Sequence, residues 1–368
     1  MKPVIVQFLP ELNVGGVERG TIEIARAIVA EGFRSVVVSN GGRLVEQLLN
    51  EGSEHISLPI HKKALASLRL IKKLKPILEE ADIAHVRSRM PAWLVSLALK
   101  SIKPEKRPKL VSTAHGLYSV NPYSRIMTKG DALIAISKTV EHYLIKNYGE
   151  GLRNKIKIIH RGVDSDEFPF DYLPTESWRK TWFSDNPQFE GKKLLCFPAR
   201  ITRWKGQTEF INLMSKLSNL DTKCHGLIVG GASGRNIRFE AELRDHAKKS
   251  GIQNRITFLG NRADVREIMS VSKIVFNLSA HPEPFGRTMI EAMSLGIPVI
   301  AWNYGGTAES LAAQFPSGLV DPHNLEKLVE TTLKVLRDPK TRPTKNKFPL
   351  SDMQRQTLDI YKKLVAIS

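Results

Sequence analysis

Short apolar runs alternate with stretches of helical period along nearly the whole chain. In the first half they predict strands over 4–9, 35–39, 83–87, 110–114, 132–136 and 156–160, with helices over 20–31 and 42–51 between the early strands. The runs are rich in Val, Ile and Leu with little polar alternation, as in strands of a parallel sheet covered by helices on both faces. From 164 to 191 the period is lost in a stretch of Asp, Phe, Pro and Trp, which predicts a connector. A second series begins at Lys193. It predicts strands over 194–198, 225–229, 256–259, 274–278 and 299–302, alternating with helices over 207–217, 239–249, 262–269 and 287–295. A last helix, 351–366, is expected to pack back on the first half. The pattern implies an α/β chain of two Rossmann-like domains facing a cleft, 1–167 and 192–350, joined by a linker, 168–191, with 351–368 returning to the first domain.

Length agrees, since 368 residues exceed what one core usually supports. No apolar run approaches the roughly 20 residues of a spanning helix, and 4–9 reads as a first strand rather than a signal peptide. Cys196 and Cys224 are the only cysteines, which excludes a disulfide framework and a cysteine metal site and fits a reducing cytoplasm. The formal charge of +18 calls for a partner. Nucleic acid is disfavoured because the basic residues are dispersed and no zinc finger, basic zipper or aromatic RNA-binding signature occurs. An anionic membrane surface fits better. The segment 61–75, HKKALASLRLIKKLK, interleaves Lys62, Lys63, Arg69, Lys72, Lys73 and Lys75 with leucines and Ile71. It reads either as a basic amphipathic helix on acidic headgroups or as a solvated helix packed on a sheet.

The most informative segment is 281–309, HPEPFGRTMIEAMSLGIPVIAWNYGGTAE. Glu283 and Glu291 lie eight positions apart around a Pro-Phe-Gly turn that opens a helix. Unpaired N–H groups at a helix start attract an anion, and Gly286 leaves room for one to approach. Two acids beside such a site make sense if each accepts hydrogen bonds from hydroxyls on either side of a diphosphate, as in a sugar nucleotide. The plain alternative is a loop acid and a solvated helix position. Gly296 and Pro298 end the helix, and Gly305 and Gly306 follow the next strand, in the local order of a nucleotide-binding unit.

Other strand ends carry candidates. Gly15 and Gly16 precede the first long helix without the G-x-G-x-x-G spacing, so they are either a ligand loop or a tight turn. Arg200 and Lys205 follow the first strand of the second series, where a forked donor and a point charge could neutralise a diphosphate. His115 ends a strand of the first half and can donate to a sugar hydroxyl or shuttle a proton, or be structural. Gly230 opens a further glycine loop that is either part of the cleft or a surface turn.

Together these pieces resemble the retaining GT-B glycosyltransferases of family 4, also called group 1. The resemblance runs through the Gly15-Gly16 loop, His115, AISKTVEHYL, HRGVDSDEF, PARITRWKGQ, LIVGGAS, FLGNRADVREIM and the Glu283/Glu291 pair, which matches the family's E-x7-E. Ala280 and Ala308 depart from frequent family residues, which touches loop detail. The resemblance implies an acceptor-binding first domain and a second domain that binds a nucleotide-diphosphate sugar, UDP- or GDP-linked. It implies that Glu283 holds donor-sugar hydroxyls and Glu291 the ribose, and that His115 touches the sugar. Arg200, Lys205 and the backbone of Phe285, Gly286 and Thr288 at the start of the Arg287 helix would bind the diphosphate, which Gly15 and Gly16 approach. No cofactor or metal is expected, because Arg, Lys and the helix dipole can stabilise the leaving group. The expected function is retaining transfer to a cell-envelope glycan or glycolipid, with a lipopolysaccharide core precursor as the example, by a cytoplasmic protein peripheral to the membrane. A nucleotide-sugar 2-epimerase of the same fold and a basic nucleic-acid-binding module are the competing readings.

Overall fold

A computed structural model describes residues 2–13 and 15–366, and of Leu65 the backbone only; Val14, within the first glycine motif, lies outside the described residues. The chain divides into two compact units, Met1–Arg161 with Leu350–Ser368, and Gly162–Pro349.

Unit 1 contains β1 (Val4–Phe8), α1 (Gly16–Ala30), β2 (Arg34–Ser39), α2 (Val45–Asn50), β3 (Glu54–Ser57), α3 (Leu70–Glu79), β4 (Ile83–Val86), α4 (Arg89–Lys100), β5 (Lys109–Ala114), β6 (Ala132–Ala135), α5 (Lys138–Tyr148) and β7 (Ile156–Ile158). Its seven strands are parallel in the order β3-β2-β1-β4-β5-β6-β7. Alternate residues of one strand feed two cores, as the pleat requires. Ile5 and Ile83 join Ile24, Ile28, Met353 and Tyr361 on one face, whereas Val6, Phe8, Ala84 and Val86 join Leu74, Leu78, Leu94 and Val95 on the other.

Unit 2 contains α6 (Glu176–Asp185), β8 (Lys193–Pro198), α7 (Gln207–Leu220), β9 (Cys224–Val229), α8 (Asn236–Lys249), β10 (Ile256–Gly260), α9 (Val265–Ser270), β11 (Ile274–Asn277), α10 (Arg287–Ser294), β12 (Val299–Trp302), α11 (Gly305–Gln314), β13 (Leu319–Val320) and α12 (Leu325–Arg337). Its six strands, also parallel, run β10-β9-β8-β11-β12-β13. The last helix, α13 (Leu350–Ala366), belongs to unit 1 and packs on α1.

Several expectations change in detail. The stretch 168–191 is part of unit 2 and holds α6, capped by the Thr175 hydroxyl, with Trp178 stacked on Trp182 and donating to Asp264. Apolar contacts from single Trp and Phe residues order it, which no period in the sequence signals. The basic segment 61–75 is not one helix. A 3-10 turn, Leu65–Arg69, leads into α3, whose Leu70, Leu74 and Leu78 are buried. Its apolar row therefore faces the core, and what it offers outward is charge, with Lys72 and Lys73 exposed. Among the described residues no helix is long and apolar enough to cross a membrane.

Candidate active site

In unit 2 the strand order reverses between β8 and β11: β9 and β10 lie beyond β8, and β12 and β13 beyond β11. Such switch points open a crevice at the carboxyl ends of the two strands. The loops after them bring Lys205 and Glu283 together, Nζ donating to Oε1 at 2.7 Å. The same oxygen accepts from Ser279 Oγ at 2.6 Å and Asn277 Nδ2 at 3.1 Å. Burial pushes the Glu283 carboxyl up, but the Lys205 ammonium, with Ser279 and Asn277 as further donors, outweighs it and holds the carboxyl below its ordinary value. An acid only 9% exposed is thus kept ionised, and the solvated loop-acid alternative does not hold.

Local geometry sets this pair. Gly206, at φ +93°, caps α7, and a side chain there would overlap the Leu278 carbonyl, so the turn after β8 presses on the end of β11. Ala280 N–H donates to the Trp204 carbonyl at 2.7 Å and joins the two loops, and the Lys205 ammonium lies 4.3 Å from the centre of the Trp204 ring.

Glu283 leads into the turn that starts α10. Gly286, at φ +81°, is the cap residue, and a Cβ on it would stand 2.5 Å from Thr307 Oγ1. It supplies no side-chain oxygen to the first-turn amides of α10. Glu291 is buried rather than solvated, and Arg287 Nε donates to its Oε1 at 3.0 Å. Phe285 is buried edge-on against Phe348 and anchors the turn from below. Gly306 N–H donates to the Glu283 carbonyl at 2.7 Å, which docks the Gly-Gly loop on the turn. Tyr304 donates to the Ser279 carbonyl, and burial raises its hydroxyl to about 12. Gly230 N–H donates to the Gly260 carbonyl at 2.8 Å, beside the backbone of Ala199 and Arg200. Arg200 is exposed, with no ion-pair partner among the described residues.

In unit 1 the reversal lies between β1 and β4. Gly15 and Gly16 follow β1 and start α1, and the Glu18 carboxylate folds against Gly15. His115 follows β5. It is half-buried with Nε2 enclosed and unpartnered, and its backbone N–H lies 3.2 Å from the Tyr118 hydroxyl. Burial, then the positive charges of Arg161 and Arg87, hold its imidazole neutral well below the ordinary histidine range.

Unit 1 also gathers residues that sequence reasoning passed over. Arg87, just past β4, is buried and donates from Nε to Gln7 Oε1 at 2.8 Å, while its Nη2 has no partner. His85 bridges Tyr361 of α13 and Thr113 of β5, at 2.5 and 2.7 Å. Arg161 Nη2 donates to the Gly16 carbonyl at 2.7 Å. Position after a strand was the available signal for Arg87 and Arg161, as it was for Arg200. Asn277 and Ser279 carried none, because their role depends on the fold of the loop after β11.

Family comparisons agree with both halves. The model for Glycosyltransferase Family 4 matches residues 14–167, and that for Glycosyl transferases group 1 matches residues 179–347. A glycosyltransferase from Rickettsia africae is 30% identical, with both chains covered in full and a TM-score of 0.87. The chain belongs to the group 1, family 4 glycosyltransferases. Its two units are those of the GT-B fold, also seen in Anabaena HepE, solved in complex with UDP and glucose, at 22% identity, 97% and 99% coverage and a TM-score of 0.82. The lipopolysaccharide core biosynthesis mannosyltransferase of Rhizobium meliloti is 30% identical over 184 residues, 50% of this chain and 48% of that protein. The alignment thus spans about half the length of that curated relative. In this chain the buried carboxylates Glu283 and Glu291 are each held against a half-buried cation, Lys205 and Arg287.

Proposed function

We propose that this glycosyltransferase moves a sugar from a nucleotide-diphosphate sugar to a hydroxyl acceptor with retention of configuration. The observation that carries the reading is the Lys205–Glu283 pair at the switch point of unit 2, beside an α10 start without a side-chain cap. All three bonds to the Glu283 carboxylate from the described residues end on Oε1, which leaves Oε2 for a sugar hydroxyl. Lys205 has further N–H donors for phosphate oxygens, and Arg200, exposed nearby in sequence, supplies a second cation. Glu291, with Arg287 at its side, is assigned the ribose hydroxyls. Gly15 and Gly16 approach the diphosphate, Gly230 shapes the donor loops, and His115 donates to the sugar.

In the reaction the bond from the anomeric carbon to the phosphate oxygen breaks, and its electron pair leaves with the diphosphate. The acceptor oxygen bonds the same carbon on the same face, and its proton passes to the departing phosphate oxygen. Lys205, Arg200 and the α10 dipole stabilise the charge that develops there. A front-face route suits Glu283, whose charge is already neutralised by Lys205 and by hydrogen bonds from Ser279 and Asn277 and which is therefore a poor nucleophile. Trapping a glycosyl adduct on Glu283 would overturn this choice.

The complex of Anabaena HepE with UDP supports a uridine donor as the first to test, and GDP-linked sugars are the second. The acceptor is assigned to the cell envelope as a glycan or glycolipid, reached at the cytoplasmic face of an anionic membrane to which the Lys72 and Lys73 face of α3 is drawn. A thermal-shift screen against UDP-, GDP- and ADP-sugars, followed by product analysis with and without acceptor, tests the reading. A raised midpoint and acceptor-dependent transfer with retained configuration are expected. Conversion of the donor without acceptor would make the protein an epimerase, and saturable RNA binding without nucleotide-sugar binding would refute an enzymatic role.

A further inference from the structure

Arg89 is the first residue of α4, shortly after β4 and at the strand-order reversal of unit 1. A cation in the first turn opposes the helix dipole, and α4 has no acid there to offset it. Nη1 donates to the Ser124 hydroxyl at 3.1 Å and reaches the Ser119 hydroxyl at 3.5 Å. The guanidinium carbon lies 5.0 Å from the centre of the Tyr118 ring and 5.4 Å from that of Tyr123. Among the described residues Arg89 has no carboxylate partner, and its Nε and Nη2 donate to none of them. That edge carries the two parallel N–H bonds that fit an oxyanion. The loop after β5 faces it in an ordered form. Asn121 Oδ1 accepts from the Ser124 amide at 2.8 Å, and Nδ2 donates to Ser119 Oγ at 3.0 Å. Trp93, one turn on from Arg89, stacks on Tyr123 at 8° and donates from Nε1 to its carbonyl at 2.9 Å. Lys63, from the loop after β3, is exposed, and its Nζ lies 4.6 Å from the centre of the same Tyr123 ring. Among the described residues Lys63 has no ion pair. Two cations thus share one ring, and the charged group that acts on both tyrosines is Arg89, not a carboxylate. Pinning the loop to α4 would use Nη1 alone, a task for a neutral amide; the charge and the Nε–Nη2 edge are left over.

We propose that Arg89, Lys63 and Tyr123 form a binding site for a phosphate group carried by a saccharide, so that the acceptor is a phosphorylated sugar. Arg89 holds two phosphate oxygens with Nε and Nη2 while Nη1 keeps its serines. Lys63 adds a second positive charge, and two cations match a phosphate monoester, which carries nearly two negative charges, better than they match a carboxylate. The half-buried rings of Tyr123 and Trp93 offer apolar surface to the C–H groups of the sugar. Calling the ligand an acceptor rests on the transfer reaction proposed above, whereas the site itself does not.

The test titrates the full chain by NMR with glucose 6-phosphate, glucuronate, glucose and inorganic phosphate, each with and without saturating UDP. Glucose 6-phosphate is expected to bind most tightly of the four, and glucose not to bind. Arg89→Gln, which keeps a donor for the serines and removes the charge, should weaken glucose 6-phosphate about tenfold or more, the scale of hydrogen bonds to a charged group. Lys63→Gln should weaken it about threefold, as for an exposed ion pair. A folded Arg89→Gln protein with unchanged affinity would overturn the site. Binding that UDP abolishes would overturn it too, since the phosphate would then sit in the nucleotide region of unit 2. Inorganic phosphate bound as tightly as the sugar phosphate would refute the saccharide, and glucuronate bound more tightly would refute the phosphate. Should Arg89→Gln not fold, Lys63→Glu takes its place, at an exposed side chain whose described contact is the ring: lost binding supports the site, and unchanged binding overturns it. Glucose 6-phosphate binding that depends on Arg89, in a protein without nucleotide-sugar transfer, would support the site and sink the transfer reaction. Transfer to a neutral acceptor at equal rates in wild type and Arg89→Gln, with glucose 6-phosphate unbound, would sink the site and leave the reaction standing.

Discussion

Each of the two sheets has one strand-order reversal, and the charged groups near their strand ends have different neighbours. In unit 2 a half-buried cation meets a buried anion twice: Lys205 and Glu283 at 2.7 Å, Arg287 and Glu291 at 3.0 Å. In unit 1 two buried arginines stand near histidines that stay neutral, and the carboxylate that acts on Arg87 is Glu23. Paired charges of this kind can exchange partners if the proposed diphosphate binds, because each keeps a counter-charge throughout. In unit 1 the positive charges of Arg87 and Arg161 add to burial in disfavouring protonation of the neighbouring imidazoles.

The largest effect is expected from Lys205→Ala, with kcat lower by about 10²–10³ in a transfer assay, the scale of losing one preorganised charge donor at a developing anion. It also leaves Glu283 buried without its cation, so the thermal midpoint should fall. Adding Glu283→Gln should restore the midpoint and not the rate, and recovery of both would break the assignment of Lys205 to the diphosphate. Next comes Gly286→Ala. A Cβ at φ +81° facing Thr307 should cost about 1–3 kcal/mol in urea unfolding. An unchanged urea midpoint would show that the turn can relax and does not fix the α10 start.

Acid should separate the units. The folded-state pKa of Glu283 is depressed, so its contribution is complete above the ordinary carboxyl value of 4.5 and is lost as pH falls through the depressed range. His85 and His115 stay neutral when folded, so below about pH 6.5 protons favour the unfolded chain and their region weakens first. His55 is shifted the same way, whereas unit 2 offers His225, lowered by burial to about 4. Hydrogen exchange across pH 7 to 5 is expected to quicken in β4 and β5 before β8 and β11, and the reverse order would remove the contrast. The smallest effect concerns the surface: Lys72→Ala with Lys73→Ala should weaken binding to acidic vesicles by about 1 kcal/mol per residue, with salt dependence. Equal binding would rule out that face of α3.

The alternation of strands and helices was legible because parallel strands buried on both faces leave unbroken apolar runs, and the second helix-strand series carried its motif with it. Glu283 and Lys205 were legible by position at strand ends. Their mutual contact was not, since it depends on Gly206 pressing against Leu278, a relation between residues 72 apart in sequence. Arg87 and Arg161 looked like two of many basic residues, and only burial separates them from the rest. Helix α6 escaped because aromatic contacts order it, and for segment 61–75 the sequence left two readings, a helix on acidic headgroups or one packed on a sheet; the buried leucines of α3 fit the second.

Helix α13 completes unit 1 from the far end of the chain, and its Tyr361 hydroxyl is the partner of His85. During synthesis the first sheet therefore emerges without one of its covering helices, and residues 162–349 must pass before that helix exists. The second unit, continuous in sequence, can fold while the first still waits. A nascent chain would thus mature in the reverse of its written order, and a truncation of a few turns at the carboxyl end would be felt at the beginning.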